Sequence, residues 1–87
     1  MTNPSRWLRY NERKLQTLSI FASQGSAISV RSFAILSGMR PVRCVYSYLG
    51  RLARWRLLRR GKSPSGRIVF QISERGRERL AWLRLRT

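Results

Sequence analysis

Residues 29–58 read SVRSFAILSGMRPVRCVYSYLGRLARWRLL. Ser29 is a good helix cap, because its hydroxyl can accept from a backbone N–H of the first turn. Val30, Phe33 and Ala34 then recur on one helix face over 30–37, with Leu36 as a further candidate for that face. Gly38 supplies the left-handed residue that ends such a helix. After Gly38-Met39-Arg40 comes Pro41, which a helix tolerates in its first turn but not in its interior, so a new helix over 41–56 begins there. In it Val45, Leu49 and Leu52 form an i, i+4, i+7 apolar stripe, extended by Tyr48 and by Trp55 or the aliphatic stem of Arg56. Two short helices joined by a glycine-containing turn make a helix-turn-helix pattern over 29–56.

Away from its stripe the longer of these helices presents Arg43, Tyr46, Ser47, Gly50, Arg51 and Arg54, a surface of donors with a glycine that permits close backbone approach. Downstream, residues 57–60 and 67–72 are strand-like, and the GKSPSG segment between them holds two Gly, one Pro and two Ser. The expectation is a hairpin over 57–72, with Ile68, Phe70 and Ile72 facing the helices. Ser73 caps a last helix over 74–85, with Glu74 and Glu78 toward its positive end and Arg84 and Arg86 toward its negative end. Upstream, Asn3-Pro4 is a helix start, and Trp7, Leu8, Tyr10, Leu15, Leu18, Phe21 and Ala22 recur at helical spacing up to residue 23. Residues 1–10 are either an extension of that helix or a separate N-terminal arm. Gly25-Ser26 ends it, and Ala27-Ile28 has room only for a short strand.

The chain of 87 residues is read as one domain, 1–87, too small to bury a deep active site. Nineteen Lys and Arg against three acidic residues give a net charge of +16. That is more than solubility needs, and it repels itself in the folded monomer, so a polyanion is the natural neutraliser. The charge is uneven: five bases and one acid lie before residue 40, fourteen bases and two acids from Arg40 onward. Residues 40–67 alone hold eight arginines, one lysine and no acid, so the ligand is expected on this half. Arginine outnumbers lysine seventeen to two, which suits bidentate contact with phosphate and guanine but is equally a mark of GC-rich coding.

The order helix, short strand, helix, turn, helix, strand, hairpin tip, strand, helix resembles the winged helix-turn-helix domains of bacterial and archaeal transcription regulators, above all the MarR and PadR kinds. Residues 29–58 look like their helix-turn-helix, and VFQISERGRERLAWL (69–83) looks like their strand ending in Ser/Thr-Glu-x-Gly-Arg, which opens the following helix. The resemblance covers residues 11–85. It departs at the third helix, one residue longer before Leu49-x-x-Leu52, and at Trp55-Arg56, where such proteins often carry an acidic residue and a Gly. It implies an α+β, mostly α fold: a three-helix core, a β-hairpin wing over 57–72 and a C-terminal helix over 73–86.

It also implies that the third helix enters the DNA major groove while the wing reaches backbone or minor groove. Placed on this chain, the base-reading candidates are Arg40, Arg43, Tyr46 and Ser47, led by Arg43. The phosphate candidates are Arg51, Arg54, Arg59, Arg60, Lys62 and Arg67, with Arg31 and Ser32 on the preceding helix. The expected function is that of a small transcription regulator binding duplex DNA. Its alternatives are a non-specific architectural DNA coat and an RNA- or ribosome-associated protein.

An enzyme is not expected. Tyr46 or Tyr48 acting as a nucleophile on DNA would need acidic metal ligands, and Glu12, Glu74 and Glu78 are scattered. No cofactor is expected, and without His or Asp there is no zinc ligand set. Cys44 is expected to be a small, partly buried filler, with a redox switch beside the reading face as its functional alternative. Trp7, Trp82, Leu83 and Leu85 exceed the needs of one small core. They suggest a homodimer face on the terminal helices, unless Trp7 packs on Trp82 within the monomer. Lacking an apolar leader or a membrane-length apolar run, the chain is expected to be cytoplasmic and nucleoid-associated.

Overall fold

Apolar spacing along the chain turns into four helices and a small sheet in the computed structural model, which describes residues 4–86, with side chains from residue 11 onward. The first helix, α1, spans Pro4–Gln24, so residues 4–10 extend it and do not form a separate arm. The expected cap Asn3 and the side chains of Trp7, Leu8 and Tyr10 lie outside the described residues. Gly25 at φ 68° ends α1. A two-residue strand, β1 (Ile28–Ser29), leads directly into α2 (Val30–Ser37). There Ser29 Oγ accepts from the Ser32 amide at 3.1 Å, and Gly38, at φ 75°, donates its amide to the Ala34 carbonyl at 2.8 Å. Both ends of α2 are therefore closed by the residues expected to close them.

The next helix, α3, runs Val42–Arg54, shorter at each end than the expected 41–56. Pro41 is extended (φ −74°, ψ 162°) and stands just outside the helix. At the other end the Arg56 amide donates to the Ala53 carbonyl and the Leu57 amide to the Leu52 carbonyl, at 2.9 and 3.0 Å, with Arg56 at φ 64°. This is the Schellman ending, in which the left-handed position is usually glycine, and the apolar residues that flank it, Leu52 and Leu57, are both buried.

Leu57 thereby turns into the core, and β2 starts one residue later, at Leu58–Lys62. The strand continues through Gly61-Lys62, residues expected in the turn. The turn itself is residues 63–66, closed by the Gly66 amide on the Ser63 carbonyl at 2.8 Å, with Gly66 at φ 86°. The return strand β3 (Ile68–Ile72) and α4 (Glu74–Arg86) complete the chain. β3 is the central strand of an antiparallel sheet ordered β1-β3-β2.

Four helices and this sheet make an α+β arrangement around one apolar cluster, drawn from Leu18, Phe21, Phe33, Leu49, Leu52, Leu58, Phe70 and Leu83 among others. The rings of Phe21 and Phe33 stack at 5.0 Å, joining α1 to α2. The stripe Val45, Leu49 and Leu52 is buried and Tyr48 borders it, but Trp55 is exposed and does not extend it. With α3 ended, its ring lies under Lys14 Nζ at 5.1 Å instead.

Leu36 does not face the core: it is 51% exposed and its neighbour Ile35 76%. At about 100° per residue, Leu36 falls roughly 120° round from Val30, outside the arc that Val30, Phe33 and Ala34 bury. No described helix is long and apolar enough to cross a membrane.

Candidate nucleic-acid interface

Cross-strand register decides which hairpin cations face α3. Arg60 lies opposite Phe70, and Lys62 opposite Ile68. Since Phe70 is fully buried against the helices, Arg60 and Lys62 leave the sheet on the helix side. Arg59 pairs with the exposed Gln71, so it leaves on the other side.

Arg60 then meets α3. Its Nη2 donates to the Tyr46 hydroxyl at 2.8 Å, its guanidinium sits 5.8 Å from the Tyr46 ring centre, and that ring packs edge-on to Phe70 at 6.4 Å. Between the two walls runs an open groove of about 630 Å³, lined by Ser47, Gly50, Arg51 and Arg54 from α3 and closed at one side by the Tyr46–Arg60 pair. Among the described residues, no carboxylate lines it.

The groove's chemistry is that of an anion receptor with further hydrogen-bonding side chains at one end. Tyr46 accepts from Arg60, which leaves its own O–H to donate outward. Ser47 Oγ donates to the Arg43 carbonyl at 3.2 Å, which leaves its lone pairs to accept. Arg43 is exposed on the same helical face, between Tyr46 and Ser47 in angle.

Of the base-reading candidates, Arg43, Tyr46 and Ser47 therefore share one surface. Arg40 does not join them: it lines a separate depression with Arg13, Cys44 and Tyr48. Of the phosphate candidates, Arg51, Arg54 and Arg60 line the groove, Lys62 continues its hairpin wall, and Arg67 lies in the turn region, exposed. Arg59 is on the opposite sheet face, beside Arg56 and Arg75. Arg31 and Ser32 are exposed on α2 but do not line the groove, and the Ser32 amide is taken by Ser29.

Cys44 is exposed, not a partly buried filler. About 100° round the helix from Val45, it falls outside the buried stripe. Leu83 is likewise no part of an outer face, being 2% exposed within the core. Trp82 is partly covered, with the guanidinium carbons of Arg79 and Arg86 at 5.2 and 4.4 Å from its ring, while Leu85 is 88% exposed. The side chain of Trp7, which decides between the monomer and dimer readings of the terminal helices, lies outside the described residues.

Sequence reasoning missed a second basic depression, of about 460 Å³, where Lys14, Arg54, Arg56, Arg75 and Arg79 surround Trp55. The i, i+4 spacing of Arg75 and Arg79 was a signal for it. What hid it was tertiary: α1 brings Lys14 against the end of α3 and the start of α4. Burial lowers the Lys14 pKa from 10.5, and the nearby Arg79 guanidinium lowers it further.

Compared with known proteins, the chain matches no family model, no curated protein and no solved structure.

Proposed function

We propose that the chain is a winged helix-turn-helix protein that binds duplex DNA, with α3 as the reading helix and the 58–72 hairpin as the wing. One observation carries this reading: an acid-free groove in which α3 and the hairpin place Ser47, Arg51, Arg54 and Arg60 together, with Arg43 and Tyr46 at its exposed edge. An α-helix with its side chains is about 10–12 Å across, and the B-form major groove is about 12 Å wide. The A-form major groove is too narrow for it, which favours DNA over double-stranded RNA.

Arg43 presents a fork suited to guanine O6 and N7, while Tyr46 donates and Ser47 accepts at base edges. Arg51, Arg54, Arg60 and Lys62 clamp phosphates, which supply affinity and register. Such a protein acts at the nucleoid as a small transcription regulator, occupying its operator. A homodimer would use the surface of α4 around Trp82 and Leu85.

Selection of bound duplexes from a random pool tests this, followed by titration at several salt concentrations. The expected result is a recovered consensus and, for roughly four to six neutralised phosphates, a slope of log K against log salt of about −3.6 to −5.4. Half-sites one turn apart in inverted repeat would add a dimer. Equal affinity for all duplexes favours an architectural coat, and preference for structured RNA overturns the DNA reading.

A further inference from the structure

The second basic depression shares only Arg54 with the groove. Its other cations come from α1 (Lys14), the α3 terminal turn (Arg56) and α4 (Arg75, Arg79), none of which contributes to the groove. We propose that this depression is a second nucleic-acid backbone site, so that one molecule of the protein holds two duplex segments; the inference rests on the DNA-binding reading of the groove.

Five cations converge with no carboxylate among the described lining residues. Glu78 sits nearby but lines a neighbouring hollow with Arg75, Arg79 and Trp82. Cations held this close repel one another, and Lys14 registers it through a pKa lowered by burial and by Arg79. Bringing a polyanion into contact relieves that repulsion and favours the charged form of the lysine.

Shape decides between a polymer and a small phosphate ligand. Small-molecule sites enclose most of their ligand and are mainly apolar. Here the depression is open and its walls are guanidinium groups, which suits a backbone lying across it. Trp55, 42% exposed with Lys14 Nζ 5.1 Å over its ring, adds the uncovered part of that ring to the surface.

Distance decides between one duplex and two. Arg43 and Arg54 are eleven residues apart on α3, about 16 Å along the axis, and the depression lies beyond Arg54, at the end of α3 remote from the readers. A duplex seated on Arg43, Tyr46 and Ser47, with its backbone reaching as far as Arg54, leaves Lys14, Arg56, Arg75 and Arg79 for another segment.

The test is capture of a second duplex. Protein is retained on a bead-bound duplex of roughly one to one and a half turns, washed, and offered a labelled duplex of the same sequence. The wild-type chain should capture label, and Arg75→Ala combined with Arg79→Ala should lose capture about tenfold or more, with retention on the beads changed less than about threefold. Arg77→Ala combined with Arg84→Ala removes the same charge from α4 outside the depression and should capture like wild type.

Retention without capture, or undiminished capture by the Arg75/Arg79 variant, overturns the inference while leaving the groove's role intact. Equal loss in the Arg77/Arg84 control overturns it in favour of general charge. Saturable binding of a nucleoside triphosphate, lost in the Arg75/Arg79 variant, overturns it in favour of a small phosphate ligand. Failure of the wild type to stay on the beads refutes the groove reading itself and takes the inference with it.

Discussion

Replacing Arg56 by glycine should stabilise the fold although it removes a side chain and adds chain entropy. Arg56 occupies the left-handed position of the Schellman turn at φ 64°, where an L side chain crowds its own carbonyl at a cost of about 1–2 kcal/mol. Glycine removes that cost but gives back about 0.5–1 kcal/mol through its freer unfolded chain. The net gain is about 0–1.5 kcal/mol, centred near 0.75, or roughly 3–6 °C in Tm for a domain of this size.

Charge must be separated from strain, because losing one arginine from a chain of +16 also relieves repulsion. Arg56→Ala loses the same charge and keeps its Cβ, so the gap between the glycine and alanine variants is the strain relieved less the chain entropy glycine adds. Urea unfolding at matched salt measures both. A glycine variant no more stable than the alanine variant refutes the strain argument.

Gly76→Ala should act in the opposite direction, losing about 2–4 kcal/mol in urea unfolding, because its methyl would fall on the Leu57 carbonyl and 2.9 Å from Ile72 Cγ1. Thr17→Val should gain about 1 kcal/mol in the same assay, since the Thr17 hydroxyl is buried without a hydrogen-bond partner. In duplex titration, Tyr46→Phe should cost a few-fold in affinity by releasing Arg60. Arg43→Ala should cost about 1–3 kcal/mol on the selected sequence and flatten preference at one position. Below its lowered pKa, charged Lys14 is disfavoured by the fold, and that penalty fades as pH rises toward 10.5, so this residue makes stability increase with pH there. NMR titration of the Lys14 side chain should place its midpoint under 10.5 and move it upward in Arg79→Ala.

Local signals carried the fold well wherever one residue's chemistry decides. Ser29, Gly38, Gly66 and Ser73 close turns and caps in the way their side chains or φ freedom suggest, and the period-3.6 and period-2 stripes locate the core faces of α3 and β3. The errors arise where tertiary geometry enters. Strand β2 extends past its expected end because Gly61 and Lys62 find ladder partners in Val69 and Ile68. The site shows the same division: the basic face of α3 follows from helical angle alone. That Arg60 joins it while Arg59 does not depends on a one-residue register, and the cluster around Trp55 depends on three elements meeting.

The ISERG segment explains why the groove should be preorganised. Ser73 Oγ donates to the Arg56 carbonyl at 2.5 Å and accepts from the Gly76 amide at 2.9 Å, while its own amide donates to the Leu57 carbonyl at 3.1 Å. One residue thus ties the end of α3, the end of β3 and the start of α4 together, and Gly76 lets α4 approach closely enough for all three bonds. The two walls of the groove, α3 and β2, diverge from this tied turn and are joined again by the Tyr46–Arg60 bond. A groove fixed at its base by buried backbone contacts and at its edge by one exposed bond has little left to order when a ligand arrives. Ser73→Ala should accordingly weaken fold and binding together, whereas loss of the Tyr46 hydroxyl touches binding alone.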